Sequence, residues 1–211
     1  MADILAFGDS LTWGRTPEAA ARHAPADRWP EALAAGLTGA RVVTEAMRGR
    51  LTAFDQSTAP ADANGARMLP VLLHSHAPLD LIIVMLGTND LYYGLPPHRV
   101  GDGLARIVEV VRGHAWRLDH APTPQILLMA PPPMVPCAGD PVITPKVIAR
   151  SQDLVGVVRA LAAESGSHFF DASAVVQASA VDGIHMDGPM TRKLGEALRA
   201  PVARILAGRG A

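Results

Sequence analysis

Three short segments of the chain carry the residue types that nucleophilic acyl chemistry needs. In Phe7-Gly8-Asp9-Ser10-Leu11-Thr12-Trp13-Gly14 a serine follows an apolar run and is flanked by glycines. A serine raised clear of the backbone at a strand-to-helix turn is placed for attack, and glycine permits so tight a turn. A plain turn or a helix cap would use the same Gly-Asp-Ser. In Leu86-Gly87-Thr88-Asn89-Asp90 the Asn89 amide can donate to an oxyanion formed at Ser10, or belong to a capping box that opens the next helix. In Val181-Asp182-Gly183-Ile184-His185 an acid and a histidine stand three residues apart. On one turn that spacing puts carboxylate and imidazole on the same side, so that Asp182 accepts from Nδ1–H and Nε2 is left as a base. A surface ion pair or a helix cap is the plainer use of such a pair. The first two segments each follow an apolar run, which favours a shared site.

These residues need a scaffold that brings loop ends together. Short apolar runs at residues 4–7, 41–44, 79–86, 125–130 and 168–170 alternate with longer helical patterns, which predicts an α/β fold with a five-stranded parallel sheet. Val100, Leu104, Ile107, Val108 and Val111 share a helical spacing, as do Leu154, Val155, Val158, Leu161 and Ala162. A further helix is expected after Asp27 as its cap, with Pro30 near its start and an end by Gly36 or Gly39. Met68, Leu69, Leu72 and Leu73 mark another, and Leu194, Ala197, Leu198, Val202, Ile205 and Leu206 a last one that Pro201 should kink or restart. The proline-rich stretch 130–145 is expected to be an ordered surface loop, and residues 51–64 a second loop. In a doubly wound sheet ligands sit outside the carboxyl ends of the strands, where all of these loops belong.

Together and in this order, the three segments make the chain resemble the SGNH hydrolase superfamily, the GDSL esterases, over nearly its whole length. The family's first block is matched by Gly8-Asp9-Ser10-Leu11, its third by Gly87-Thr88-Asn89-Asp90 and its fifth by Asp182-Gly183-Ile184-His185. Its second block places a glycine after strand two, and Arg48-Gly49-Arg50 falls there. The chain is especially similar to bacterial arylesterases and acyltransferases. It departs from their Gly-Arg-Thr-Thr at Leu51, and from a preceding glycine at Ala46.

The resemblance implies a three-layer α/β/α sandwich with a parallel, flavodoxin-like sheet. It implies Ser10 as nucleophile, His185 as base and Asp182 as its orienting acid, with an oxyanion hole from the N–H groups of Ser10 and Gly49 and the Asn89 amide. The expected activity is hydrolysis of small, short-acyl or aryl carboxylic esters, with acyl transfer to alcohols or peroxide. Carbohydrate deacetylation, thioester or lysophospholipid hydrolysis, and a noncatalytic binding module are the alternatives. The partner is a small ester, with no cofactor; homo-oligomers are common among such relatives, and the proline-rich loop and residues 142–146 are candidate contacts.

Leu11, Trp13, Leu91 and Tyr92 are the expected substrate contacts, with Tyr93 and residues 131–136 beside them. Arg15 and Arg50 stand at the entrance or face solvent. Asp9 and Asp90 are expected to fix their loops by side-chain to backbone hydrogen bonds.

The composition narrows the alternatives. The 211 residues, 49% hydrophobic and 18% charged, suit a single domain spanning 1–211. A net charge of −1 with scattered Lys and Arg offers no field for polyanions, so nucleic acid is not an expected partner. Cys137, the single cysteine, excludes an intrachain disulfide and is taken as a packing residue. His74-Ser75-His76 places two histidines on different sides of a helix, and no metal is expected. No apolar run approaches the roughly 20 residues of a membrane helix, and no leader pattern opens the chain, so a cytoplasmic protein is expected.

Overall fold

Strand side chains alternate in direction, and in this chain both directions are apolar, so the central strands must be covered on two faces. In the computed structural model, which describes residues 1–19, 21–119 and 121–208, strands β1 (Ala2–Gly8), β2 (Ala40–Ala46), β3 (Leu81–Met85), β4 (Gln125–Ala130) and β5 (His168–Asp171) form one parallel sheet in the order β2-β1-β3-β4-β5. Leu5, Phe7, Ile82, Val84, Ile126 and Leu128 face one core with α3 (Gly65–His76), α5 (Pro97–Gly113) and α6 (Pro145–Glu164). Ile4, Ala6, Leu81, Ile83, Met85, Leu127 and Met129 face the other, with α1 (Ser10–Trp13), α2 (Trp29–Ala34) and α7 (Gly188–Ala207). This is the expected three-layer α/β/α sandwich. A short α4 (Thr88–Tyr92) follows β3.

Strand order reverses between β1 and β3, so the chain leaves these two neighbours toward opposite sides and opens a crevice at their carboxyl ends. Gly8 closes β1 there, in register with Ala46 of β2 and Met85 of β3. Ser10, Gly49 and Asn89 all lie within a few residues of that edge.

Several local expectations change. Asp27 does not cap α2, which starts after Arg28 without a side-chain cap; Asp27 ends a 3-10 turn, and its carboxylate instead accepts from Arg192 of α7. The helix does end by Gly36, at Ala34, as expected. Pro201 does not restart the last helix: α7 continues through it as one element. An interior proline costs about 3 kcal/mol, while Leu194, Leu198, Val202 and Ile205 are buried, each contributing roughly 1.5–3 kcal/mol. The proline-rich stretch is not a surface loop over its first part: Pro131, Pro132 and Met134 are buried. Its backbone is held by Met134 N–H on Ser151 Oγ (2.9 Å) and Val135 N–H on the Gly183 carbonyl (3.0 Å). Cys137 packs beside it against the first core. Among the described residues, no helix is long and apolar enough to cross a membrane.

Candidate active site

Ser10 is the first residue of α1, two residues past the sheet edge. Asp9 caps this single turn by accepting the Leu11 N–H (2.9 Å), and Gly14, with φ +87°, ends it. Gly8 owes its identity to close approach: a Cβ there would sit 2.0 Å from Thr12 Oγ1. The turn therefore folds tightly back on its own strand and leaves Ser10 Oγ pointing into a cleft of about 410 Å³.

The turn that opens into α7 supplies the other reactive groups. Asp182 Oδ1 accepts the N–H groups of Ile184 (3.0 Å) and His185 (2.9 Å), which fixes the carboxylate beneath the ring. Its Oδ2 lies 2.5 Å from His185 Nδ1, and His185 Nε2 lies 2.8 Å from Ser10 Oγ. A carboxylate only accepts, so Nδ1 carries the proton and Nε2 is free to receive the serine proton. Burial pushes the Asp182 carboxyl up, but hydrogen bonds from the His185 ring, the His185 and Ile184 N–H groups and the nearby His185 charge outweigh it, and Asp182 is held below the ordinary range.

The floor of the cleft joins the loops after three strands. Arg50 Nη1 donates to the carbonyls of Gly8 (2.8 Å) and Glu45 (2.6 Å), with its guanidinium over the Phe7 ring. Asn89 Nδ2 donates to the Arg50 carbonyl (3.0 Å) and to Asp9 Oδ2 (3.2 Å). Thr52 donates through N–H (3.1 Å) and Oγ1 (2.6 Å) to Asp90. Asp9 and Asp90 thus fix loops as expected, whereas Arg50 is neither at the entrance nor in solvent: it is buried beneath the serine. Burial raises Asp9 to about 7, opposed by the Leu11 N–H and Arg50 and reinforced by Asp90. Burial raises Asp90 as well, against its Thr52 bonds, and lowers Arg50 to about 10 against the pull of Asp9 and Glu45.

Gly49, with φ +79°, takes a left-handed conformation that only glycine adopts without strain. It lines the cleft with Ser10 and Asn89. Among the described residues, neither the Ser10 nor the Gly49 backbone N–H has a protein acceptor. The departures in this region lie elsewhere: Leu51 is buried, while Ala46 faces a neighbouring cavity with Trp13.

Of the expected substrate contacts, Tyr92 and Tyr93 line the cleft, while Leu11, Trp13, Leu91 and residues 131–136 do not. Leu11 and Leu91 are core residues, 2% and 1% exposed, because α1 and α4 each turn an apolar face to the sheet. Trp13 lies over the adjoining cavity, its ring 4.9 Å from the Arg22 and Arg48 guanidiniums. The Pro131–Pro136 segment supports the Asp182–His185 turn from behind and does not line the cleft.

The mouth consists instead of Arg15, Arg48, Tyr92, Tyr93, Gly139, Asp140, Val181 and Ile184. Tyr92 Oη donates to Asp140 Oδ2 (2.9 Å); burial and then Asp140 push its phenol up to about 12. Asp140 was not singled out by sequence; its only signal was a place in the loop after the fourth strand. Away from the site, His76 Nε2 meets Glu45 (2.8 Å) and His74 packs edgewise on His114. Among the described residues, no three His, Cys, Asp or Glu side chains cluster as metal ligands would.

Comparison with known proteins supplies a further finding. The model of the GDSL-like Lipase/Acylhydrolase family matches residues 6–192. An arylesterase of Vibrio mimicus is 27% identical over 110 residues, 52% of this chain and 48% of its own, so the chain spans about half the length of that relative. A carbohydrate acetylesterase family member from Sinorhizobium meliloti superposes with a TM-score of 0.94 at 39% identity, covering 98% of this chain and 100% of that one. The aryl esterase of M. smegmatis gives 0.90 at 38% identity, covering 97% and 100%.

Proposed function

Because the chain belongs to the GDSL-like lipase/acylhydrolase family, we propose that it hydrolyses small carboxylic esters through an acyl-enzyme on Ser10. The observation that carries this is the run of contacts from Asp182 through His185 to Ser10, 2.5 and 2.8 Å long, opening into a cleft whose backbone N–H groups are free to donate.

His185 Nε2 takes the Ser10 proton as Oγ attacks the ester carbonyl, and Asp182 stabilises the imidazolium that forms. The tetrahedral oxyanion is met by the N–H groups of Ser10 and Gly49 and by Asn89. Both Asn89 Nδ2 hydrogens already have acceptors, so the oxyanion shares or replaces the longer bond, to Asp9. His185 then protonates the departing alcohol, and water, activated by the same ring, releases the acid.

The cleft bears on the acyl acceptor and on the leaving group. Transfer to alcohols requires an apolar surrounding that disfavours water, and the residues that would have supplied it, Leu11, Trp13 and Leu91, are outside the cleft. Hydrolysis is therefore the main reaction. Carbohydrate deacetylation is the second reading, favoured by the polar ring of Arg15, Arg48, Tyr92 and Asp140 and by the neighbour from Sinorhizobium meliloti.

Ser10→Ala is expected to abolish turnover of p-nitrophenyl acetate while circular dichroism remains native. A serine-directed phosphonate should label Ser10, and undiminished turnover in the variant would sink the proposal.

A further inference from the structure

A net charge of −1 conceals a local excess of cations around Trp13. Arg22 and Arg48 both lie 4.9 Å from its ring, and Arg22 Nε donates to its carbonyl (2.8 Å). Arg28 packs close enough to lower the Arg22 pKa, after burial as the larger cause, and its own acidic partner is Glu31 at 3.5 Å. Arg15 and Arg48 extend this group into the active site. Together with Gly49 they line both the Ser10 cleft and the adjoining cavity of about 430 Å³, so they form the sill between the two.

The two acids that line the same cleft already have donors. Asp182 is bound to His185 and Asp140 accepts from Tyr92. Among the described residues, neither Arg15 nor Arg48 forms an ion pair, and Arg15 Nε is buried with no acceptor. Stacking on Trp13 also restrains Arg48, which lowers the entropy lost when a ligand binds it. Two guanidiniums without carboxylate partners, at the rim of a cleft, fit an incoming carboxylate through charge-assisted, paired hydrogen bonds. The adjoining cavity has room for the larger portion of a short-acyl ester, which is its alcohol portion.

We propose that Arg15 and Arg48 form an anion subsite beside Ser10, and that the preferred substrates are short-acyl esters whose alcohol portion carries a carboxylate. This rests on the ester-hydrolase reading for its kinetics, though not for its binding.

The kinetic test compares 4-acetoxybenzoate with its neutral methyl ester. The expected wild-type kcat/KM ratio favours the anion by about tenfold at low salt, carried by KM, and shrinks in 0.5 M NaCl as screening grows. Arg15→Gln and Arg48→Gln should each lower that ratio severalfold, and the double variant should bring it near one. Taking the ratio within each variant cancels any general loss of activity.

Calorimetric binding of 4-hydroxybenzoate against methyl 4-hydroxybenzoate, to wild type and double variant, tests the subsite without turnover. Absence of turnover for both esters would overturn the hydrolase reading alone, leaving the subsite to the binding data. A wild-type preference of one or less in binding, or a preference that survives in the double variant, would overturn the subsite.

Discussion

On the floor of the cleft the side chains of Asp9, Arg50, Asn89, Thr52 and Asp90 are hydrogen-bonded across three loops, with Arg50 Nε buried and without an acceptor, whereas at its mouth Arg15 and Arg48 have no acidic partner. The floor is largely buried and cross-braced, so removing one group leaves another buried and unpaired, at about 1–3 kcal/mol. The mouth is partly exposed, and water can replace what a side chain loses. The reacting atoms thus stand on a rigid base while substrate choice is left to groups that can change without unfolding it.

Asn89→Ala tests the floor most severely. If its Nδ2 meets the oxyanion, kcat for p-nitrophenyl acetate should fall roughly 100- to 1000-fold with KM little changed. A drop of less than tenfold would make Asn89 a brace between Asp9 and the Arg50 carbonyl and nothing more.

Asp9→Asn probes the same floor through its charge. The folded state holds the Asp9 proton up to a pH of about 7, while the unfolded chain releases it near 3.8. Between those values the folded state binds more protons, so the contribution of Asp9 to stability is fully present below 3.8 and is lost as pH rises to about 7. The slope is at most about 1.4 kcal/mol per pH unit. The stability difference, variant minus wild type, should therefore grow from pH 4 to pH 7 and then level off in urea denaturation series. A difference that stays flat would mean that Asp9 is ionised throughout, held by Arg50, and that the floor is an ion-pair network.

The same contrast decides what was legible in the sequence. The reacting residues were readable because they sit at fixed offsets within short segments: Ser10 two residues after Gly8 at the end of β1, Asn89 two after Gly87, and Asp182 three before His185. The sheet, with its reversal between β1 and β3, then has to bring those offsets together. Leu11, Trp13 and Leu91 were misplaced for a related reason. Adjacency to a functional residue along a one-turn helix says nothing about which side faces the cleft: Leu11 and Leu91 turned to the sheet, and Trp13 to the adjoining cavity. Arg50 was obscure because an arginine in a loop normally reaches solvent, and only the packed loops show it buried beneath Ser10. Asp140 had no offset at all, since the loop that carries it is placed by long-range contacts such as that between Val135 and Gly183. The same holds for Pro201, whose penalty is set against a core that only the folded chain reveals.

Tyr92→Phe applies the smallest push, and it does so at the mouth. Its hydroxyl stays protonated at every working pH, since the phenol is raised to about 12, and it donates to Asp140. Removing it frees the Asp140 carboxylate to face the cleft or to turn toward Arg15, and either outcome weakens the attraction for a second anion. Because both partners are partly exposed, the loss in folding stability should stay below about 1 kcal/mol. KM for 4-acetoxybenzoate should rise about twofold to threefold, close to 0.5 kcal/mol, and the preference over the methyl ester should narrow by the same factor. A rise beyond tenfold would erase the contrast, because the mouth would then be as tightly interlocked as the floor.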